Sequence, residues 1–187
     1  MQAKVIFILF IFFLTSCSLK QNANGTFNEL VIIASPEDRE YILPTIENLF
    51  NKIIHTPNEE FKIKLRWKLP WELDEVQNHY NLLILGIDNP VDSTGDILIS
   101  KFIPENNDSL ELFLIEDAYA NNQQLMIVHT LDAIHFNQVI NKNKKWILDT
   151  FNSSINRNLY KYVYSKGKNP ELSMIINKIF NINIELQ

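Results

Sequence analysis

The chain has little glycine and almost no cysteine, and both shortages exclude functions. Its 187 residues include four glycines, at positions 25, 86, 95 and 167, and one cysteine, Cys17. Glycines this far apart cannot form the Gly-rich loop that cradles a phosphate or a dinucleotide, and we expect no cofactor. A single cysteine cannot form an intramolecular disulfide, so the stability of the fold must come from its core.

The chain also lacks an excess of positive charge. It carries 17 Lys and Arg residues against 22 Asp and Glu residues, which gives a net charge of −5. Domains that bind nucleic acid are usually basic, at least over one patch. Nucleic acid is therefore not an expected partner.

The N-terminus has the pattern of a secretory signal peptide. Lys4 provides a positive charge, residues 5–13 are uninterruptedly hydrophobic, and Leu14-Thr15-Ser16 precede Cys17. The run is shorter than the 20 or so apolar residues that span a bilayer. It resembles the lipobox of bacterial lipoproteins, which implies cleavage before Cys17 and lipidation of that cysteine. We predict a signal peptide over residues 1–16, and a lipid anchor with a flexible tether over residues 17–26.

Residues 27–187 are predicted to form a single α+β domain. Strands are expected at 29–34, 81–87, 97–102, 110–115, 124–129 and 182–186, and helices after Ser35, over 131–164 and after Asn169. Pro44 either kinks the first helix or begins its main part. The helices are too few to flank every strand. This favours a two-layer sandwich with a mixed or antiparallel sheet and helices on one face, and a ferredoxin-like plait is the nearest named shape.

Residues 61–69 show the clearest strand pattern. Apolar residues alternate with four cations, Lys62, Lys64, Arg66 and Lys68. Period two would place all four cations on one face, which is a candidate surface for anionic lipid or an acidic envelope protein. The alternative is a solvent-exposed strand whose lysines discourage edge-to-edge pairing.

Two further polar segments have no clear chemical role. His129, Asp132 and His135 lie within seven residues, but zinc would need another ligand that is not evident nearby. We therefore predict neither a metal site nor a catalytic residue. Residues 141–145, Asn-Lys-Asn-Lys-Lys, form either a solvated helix face or a break between two helices.

The order of several segments resembles a known family. These segments are Glu29–Ile33, His79–Leu85, Asp117–Gln123 leading into Leu125–Val128, and Asn169–Ile184. Together they are similar to the uncharacterised lipoproteins of Bacteroidota known as domain of unknown function 4837. The resemblance implies a lipid-anchored envelope protein and covers nearly all of the mature chain. Members are typically longer, with a second half beyond Gln187, and have no agreed activity.

From the sequence we expect an outer-membrane lipoprotein, facing the periplasm or the cell surface. The residue after the lipobox cysteine is Ser18 rather than Asp, and this resembles lipoproteins that leave the inner membrane. We expect it to bind or scaffold a partner without catalysis. The alternative is an envelope hydrolase that acts on polymer or lipid.

Overall fold

The computed structural model describes residues 20–55, 59–103, 111–165, 167 and 169–184, without the side chains of residues 53–55 and 59–61. Its strands are β1 (Glu29–Ile33), β2 (Ile53–His55), β3 (Glu59–Phe61), β4 (Lys64–Lys68), β5 (Asn81–Asn89), β6 (Leu112–Glu116) and β7 (Gln124–Asp132). Its α-helices are α1 (Pro36–Phe50), α2 (Leu73–Val76), α3 (Ser93–Ser100), α4 (Ala133–Tyr164) and α5 (Pro170–Phe180).

Five of the strands form one mixed sheet in the order β4-β1-β5-β7-β6. The first four are mutually parallel, and β6 pairs antiparallel with β7. The central strands are continuous apolar runs because both of their faces are buried. The α+β class with a mixed sheet is confirmed. The ferredoxin-like plait is not the shape observed. Four neighbouring strands of this sheet are parallel, and parallel strands are joined by crossover connections rather than by hairpins.

Helices cover both faces of this sheet. On one face α1 and α4 pack over Leu30, Ile32 and Leu83. On the other face α2 and α3 pack over Val31, Ile33 and Leu82. The expected layer of helices on one face is therefore accompanied by a second, smaller layer. The sequence did not predict this layer, because the apolar run at 97–102, which overlaps α3, was interpreted as a strand.

Several local predictions are corrected. Residues 93–100 form helix α3 because the Asp92 carboxylate accepts hydrogen bonds from the N–H groups of Thr94 and Gly95 (2.9 and 3.0 Å), which caps the helix. Of the two alternatives for Pro44, a main helix that begins there is wrong, because α1 already runs from Pro36 and contains Pro44. Residues 182–184 are not a strand, and residues 185–187 lie outside the described part.

The predicted strand over 61–69 is divided between two strands. β3 ends at Phe61 and pairs with β2, whereas β4 begins at Lys64 and joins the main sheet beside β1. Within β4 the period of two holds, because Leu65 and Trp67 pack against the α1–α4 core. β4 is an edge strand of the sheet. This position is compatible with the alternative that its lysines discourage edge-to-edge pairing.

Residues 20–26, assigned above to a flexible tether, are hydrogen-bonded to the body. Ala23 N–H donates to the Asn121 carbonyl, and Asn24 N–H donates to the Asn78 carbonyl, both at 2.9 Å. Gly25 has φ +92°, and a Cβ there would lie 2.3 Å from His79 Nε2. Residues 20–26 are therefore packed against the domain and hydrogen-bonded to it. Residues 1–19, with the predicted signal peptide and Cys17, lie outside the described residues.

Candidate functional site: a lysine-lined cleft

The four cations singled out by the alternation have different environments. Arg66 Nη2 lies 3.4 Å from a Glu29 carboxylate oxygen. Lys68 Nζ lies 2.6 Å from Glu72 and 3.2 Å from Glu75. Hydrogen bonding to Glu72 raises the pKa of Lys68, and the same hydrogen bond lowers the pKa of Glu72.

The other two members of the row, Lys62 and Lys64, are exposed. No ion pair involves either of them among the residues that the structure describes. The row is therefore not one uniform cationic face, and the prediction that it contacts an anionic partner remains open.

The three residues of the histidine segment do not converge on one point. His129 Nε2 lies 2.6 Å from Asp88 Oδ1, and His135 Nε2 lies 2.9 Å from a Glu111 carboxylate oxygen. Asp132 Oδ1 accepts a hydrogen bond from the His135 N–H (2.8 Å) and so caps α4. Across the described ranges, no group of three or more metal-ligating side chains is suitably placed.

A buried carboxylate pair lies where β1 and β5 end. α1 and α3 leave these neighbouring parallel strands on opposite faces, and such a point is where open α/β sheets usually bind ligands. A Cβ on Gly95 would lie 2.8 Å from Asp38 Oδ2 and 2.9 Å from Asp92 Oδ2. The two oxygens are therefore close together.

The pKa values of these two carboxyl groups are shifted in opposite directions. Burial, against a hydrogen bond from the Ile87 N–H and together with the smaller effect of the charges of Asp92 and Asp96, raises the pKa of Asp38 to about 7. Burial also acts to raise the pKa of Asp92, but hydrogen bonds from Ser35 and from backbone N–H groups lower it overall. Asp38 Oδ1 is buried and has no hydrogen-bond partner among the described residues.

The carboxylate pair is closed to solvent. Ser35 and Asp38 are fully buried, and Asp92 is only 7% exposed. The chain's own side chains therefore fill the crevice that a ligand would otherwise enter. The sequence around Asp38 does not indicate this pair, because the burial of Asp38 against α3 is a tertiary property.

An open cleft with an excess of positive charge lies between α4 and the end of α1. Its volume is about 580 Å³. Its floor is apolar and contains Phe50, Ile63 and Leu148. Five lysines line its walls, together with the polar residues Asn141, Asp149 and Asn152; the lysines are Lys52, Lys62, Lys142, Lys144 and Lys145.

Two chain segments form the walls of this lysine cleft. On one side, the Lys62 N–H donates to the Lys52 carbonyl at 3.0 Å, which holds these two lysines next to each other. On the other side, Lys142 and Lys145 follow Asn141 along one face of α4 at helical spacing. The run 141–145 does not break α4, and four of its five residues are exposed, so the alternative of a solvated helix face is confirmed. The same face forms a wall of the cleft.

The lysine cleft is a local positive region in an acidic chain. Among the residues whose side chains the structure describes, Asp149 is the single carboxylate that lines the cleft. No ion pair between a cleft lysine and a carboxylate is found in the described part of the chain. Like charges gathered in a cleft attract anions even when the net charge is negative, and solvent exposure weakens each individual contact.

A second, smaller cleft continues this groove along α1 and α4. It has a volume of about 260 Å³ and shares Asn141 and Lys144 with the lysine cleft. Pro44 and Thr45 of α1 line its other side. The groove is therefore long enough for a ligand that extends beyond the five lysines.

Fold and site together define an α+β protein with a mixed five-stranded sheet and a basic surface cleft. The chain matches a domain of unknown function, DUF8532, over residues 23–162, and belongs to that family. This match links the chain neither to domain of unknown function 4837 nor to Bacteroidota. No curated protein and no solved structure matches the chain. Among the described residues, no helix is both long and apolar enough to cross a membrane.

Proposed function

We propose that this protein is a lipid-anchored, non-enzymatic binding module of the cell envelope, and that the lysine cleft binds an anionic ligand. The observation that carries the binding role is the grouping of five lysines around one cleft, with one carboxylate among the lining side chains that the structure describes. The anchor rests on the residue pattern that ends in Cys17. The outer membrane is the proposed location, on the basis of Ser18.

The cleft has the size and chemistry for a ligand with several negative groups. A volume of about 580 Å³ falls within the range of small-molecule sites. Lysine ammonium groups bind phosphate and carboxylate as mobile point charges, so they favour charge number over one fixed geometry. The apolar floor offers contact to an uncharged part of the ligand. We therefore expect a polyanion of phosphate or carboxylate groups.

Calorimetric titration of the full chain in neutral detergent with inorganic tripolyphosphate tests this proposal. Replacing Lys62, Lys142 and Lys145 with Gln removes three cleft charges. Because an exposed ion pair contributes about 0.2–1 kcal/mol, affinity should fall about 3-fold to about 100-fold. The affinity of the unmodified chain should also fall between about 50 mM and about 300 mM NaCl, since salt screens exposed charges.

A matched variant separates the cleft from overall charge. Replacing Lys64, Lys101 and Lys178 with Gln removes the same charge from exposed positions outside the cleft. Its affinity should stay within about twofold of the unmodified chain. Equal losses in the two triple variants would reduce binding to a general charge effect and contradict the proposal.

The hydrolase alternative predicts a different result. Substituting His129, Asp132 and His135 together should abolish an envelope phenotype if those residues perform catalysis. In the binding proposal that variant retains tripolyphosphate affinity, because none of the three lines the lysine cleft. Their separate contacts to Asp88, to the α4 N-terminus and to Glu111 support the binding proposal.

A further inference from the structure

We infer that the C-terminal region of the chain, from the last turns of α4 through α5, lies on the surface of an anionic lipid bilayer. This inference rests on the lipid anchor of the proposed function. It adds a second contact with the membrane and fixes which end of the domain faces the lipid.

The N-terminal stretch marks the end of the domain nearest the anchor. Lys20 is three residues from Cys17, so the two lie within about 10 Å of one another even in an extended chain. Lys20 Nζ donates to the Asp117 carbonyl, and the Gln21 carbonyl accepts from the Asn121 N–H at 2.8 Å. A lipid on Cys17 therefore brings the 117–122 turn close to the headgroups.

The last turns of α4 lie at the same end. Asn158 Nδ2 donates to the Asn122 carbonyl at 3.1 Å, and the ring of Tyr162 lies 5.6 Å from that of Phe27. The helix continues for six residues beyond Asn158, or about 9 Å. Exposed Tyr160 and Tyr164 stack in that extension, with ring centroids 4.0 Å apart. Tyrosine is enriched where protein meets the membrane–water interface.

Helix α5 follows within six residues and has an apolar stripe without a partner in the described part. None of its residues is buried. Leu172, Ile175, Ile176 and Ile179 share one side of the helix at spacings of three and four residues. Ile179 is 64% exposed, and Phe180 beside it is 63% exposed. An amphipathic helix of this kind, next to a lipid anchor, is suited to lie in the plane of the interface.

The charge of this region fits an anionic bilayer. Residues 157–178 contain five cations and one carboxylate, in a chain whose net charge is negative. Basic residues near a membrane surface are attracted to anionic headgroups within a Debye length. The excess of cations and the exposed apolar stripe thus both favour an anionic bilayer. A neutral protein partner would not require the cations.

Depth-dependent fluorescence quenching tests this orientation in the lipidated full chain. Acylation uses the thiol of the single cysteine, so an introduced cysteine is the only site for a thiol-reactive fluorophore. Ile175→Cys and Ile179→Cys place the fluorophore on the stripe, and Asn177→Cys places it on the opposite side of α5. The vesicles contain about one-fifth phosphatidylglycerol and a nitroxide-labelled lipid.

We expect the nitroxide to quench the fluorophore at 175 and 179 at least about twofold more than at 177. Equal quenching at all three positions would overturn the inference. The mass of the mature N-terminus, measured on the same sample, separates the two proposals. An unmodified Cys17 contradicts the anchor, whereas an acylated Cys17 with no difference in quenching contradicts only the placement of α5.

Discussion

Replacing Asp38 with Asn should make the protein more stable at neutral pH and leave it almost unchanged in acid. The side chain of Asp38 is fully buried, and within the part of the chain that the structure describes its Oδ1 has no hydrogen-bond partner. Asn keeps the shape and an acceptor oxygen for the Ile87 N–H, and it removes a charge that the site disfavours. The substitution therefore isolates the cost of ionising this carboxyl group.

The size of the effect follows from the pKa. Burial raises the pKa of Asp38 to about 7 from a reference value of 3.8. Between these values the folded state holds a proton that the unfolded state has released, so the free energy of unfolding falls as pH rises. At about 1.4 kcal/mol per unit, the loss reaches about 4 kcal/mol by pH ~8. Above that pH this group causes no further change.

Urea unfolding at intervals from about pH 4 to about pH 8 measures the difference between the two proteins. The advantage of Asp38→Asn should grow steadily over that range. Asp92→Asn is a control that should instead lower the free energy of unfolding at neutral pH. The lowered pKa of Asp92 stabilises the fold at pH values above the pKa of this group in the unfolded chain. A difference between Asp38→Asn and the unmodified chain that does not depend on pH would refute the account of Asp38.

Three further substitutions test the anchor and the core. Cys17→Ala should release the protein from membranes after a carbonate wash, because the variant lacks acyl chains that contribute about 0.8 kcal/mol per buried CH₂. Sedimentation measures the release, and retention of the variant in the membrane pellet would contradict lipidation. Gly95→Ala should lower the free energy of unfolding by about 1–3 kcal/mol, because its Cβ would lie 2.8 and 2.9 Å from two buried carboxylate oxygens; the stabilisation that Ala usually gives inside a helix would be the opposite result. In chemical denaturation Leu83→Ala, at a 1% exposed position of β5, should cost about 2–5 kcal/mol, and Leu65→Ala on the half-buried edge strand should cost less; equal costs would place β4 in the interior of the sheet.

The elements that could be predicted from sequence are those whose pattern reflects a single environment. β1, β5 and β7 are buried on both faces, so their sequences are continuous apolar runs. The 32 residues of α4 were predicted as one helical region because its apolar residues recur at helical spacing. In these elements the residue pattern along the chain matches the burial of each residue in the fold.

The features that were missed depend on contacts between distant segments. The apolar run at 97–102 fits a strand as well as a helix, and only the Asp92 cap before it indicates α3. The lysine cleft joins Lys62 to Lys142 and Lys145, which are about eighty residues further along the chain. Neither segment alone shows that the two will face each other. The cation alternation therefore included one lysine of the cleft but not its partners on α4.

The central claim, that the lysine cleft binds an anionic ligand in the envelope, is tested most directly by lysine footprinting in native membranes. An amine-acetylating reagent is applied before and after a high-salt wash that removes bound anions, and mass spectrometry gives the modification of each lysine. The account predicts that the five lysines of the cleft react faster after the wash, while Lys64 and Lys101 do not change. An equal change at all seven lysines, or none at the cleft, would contradict it.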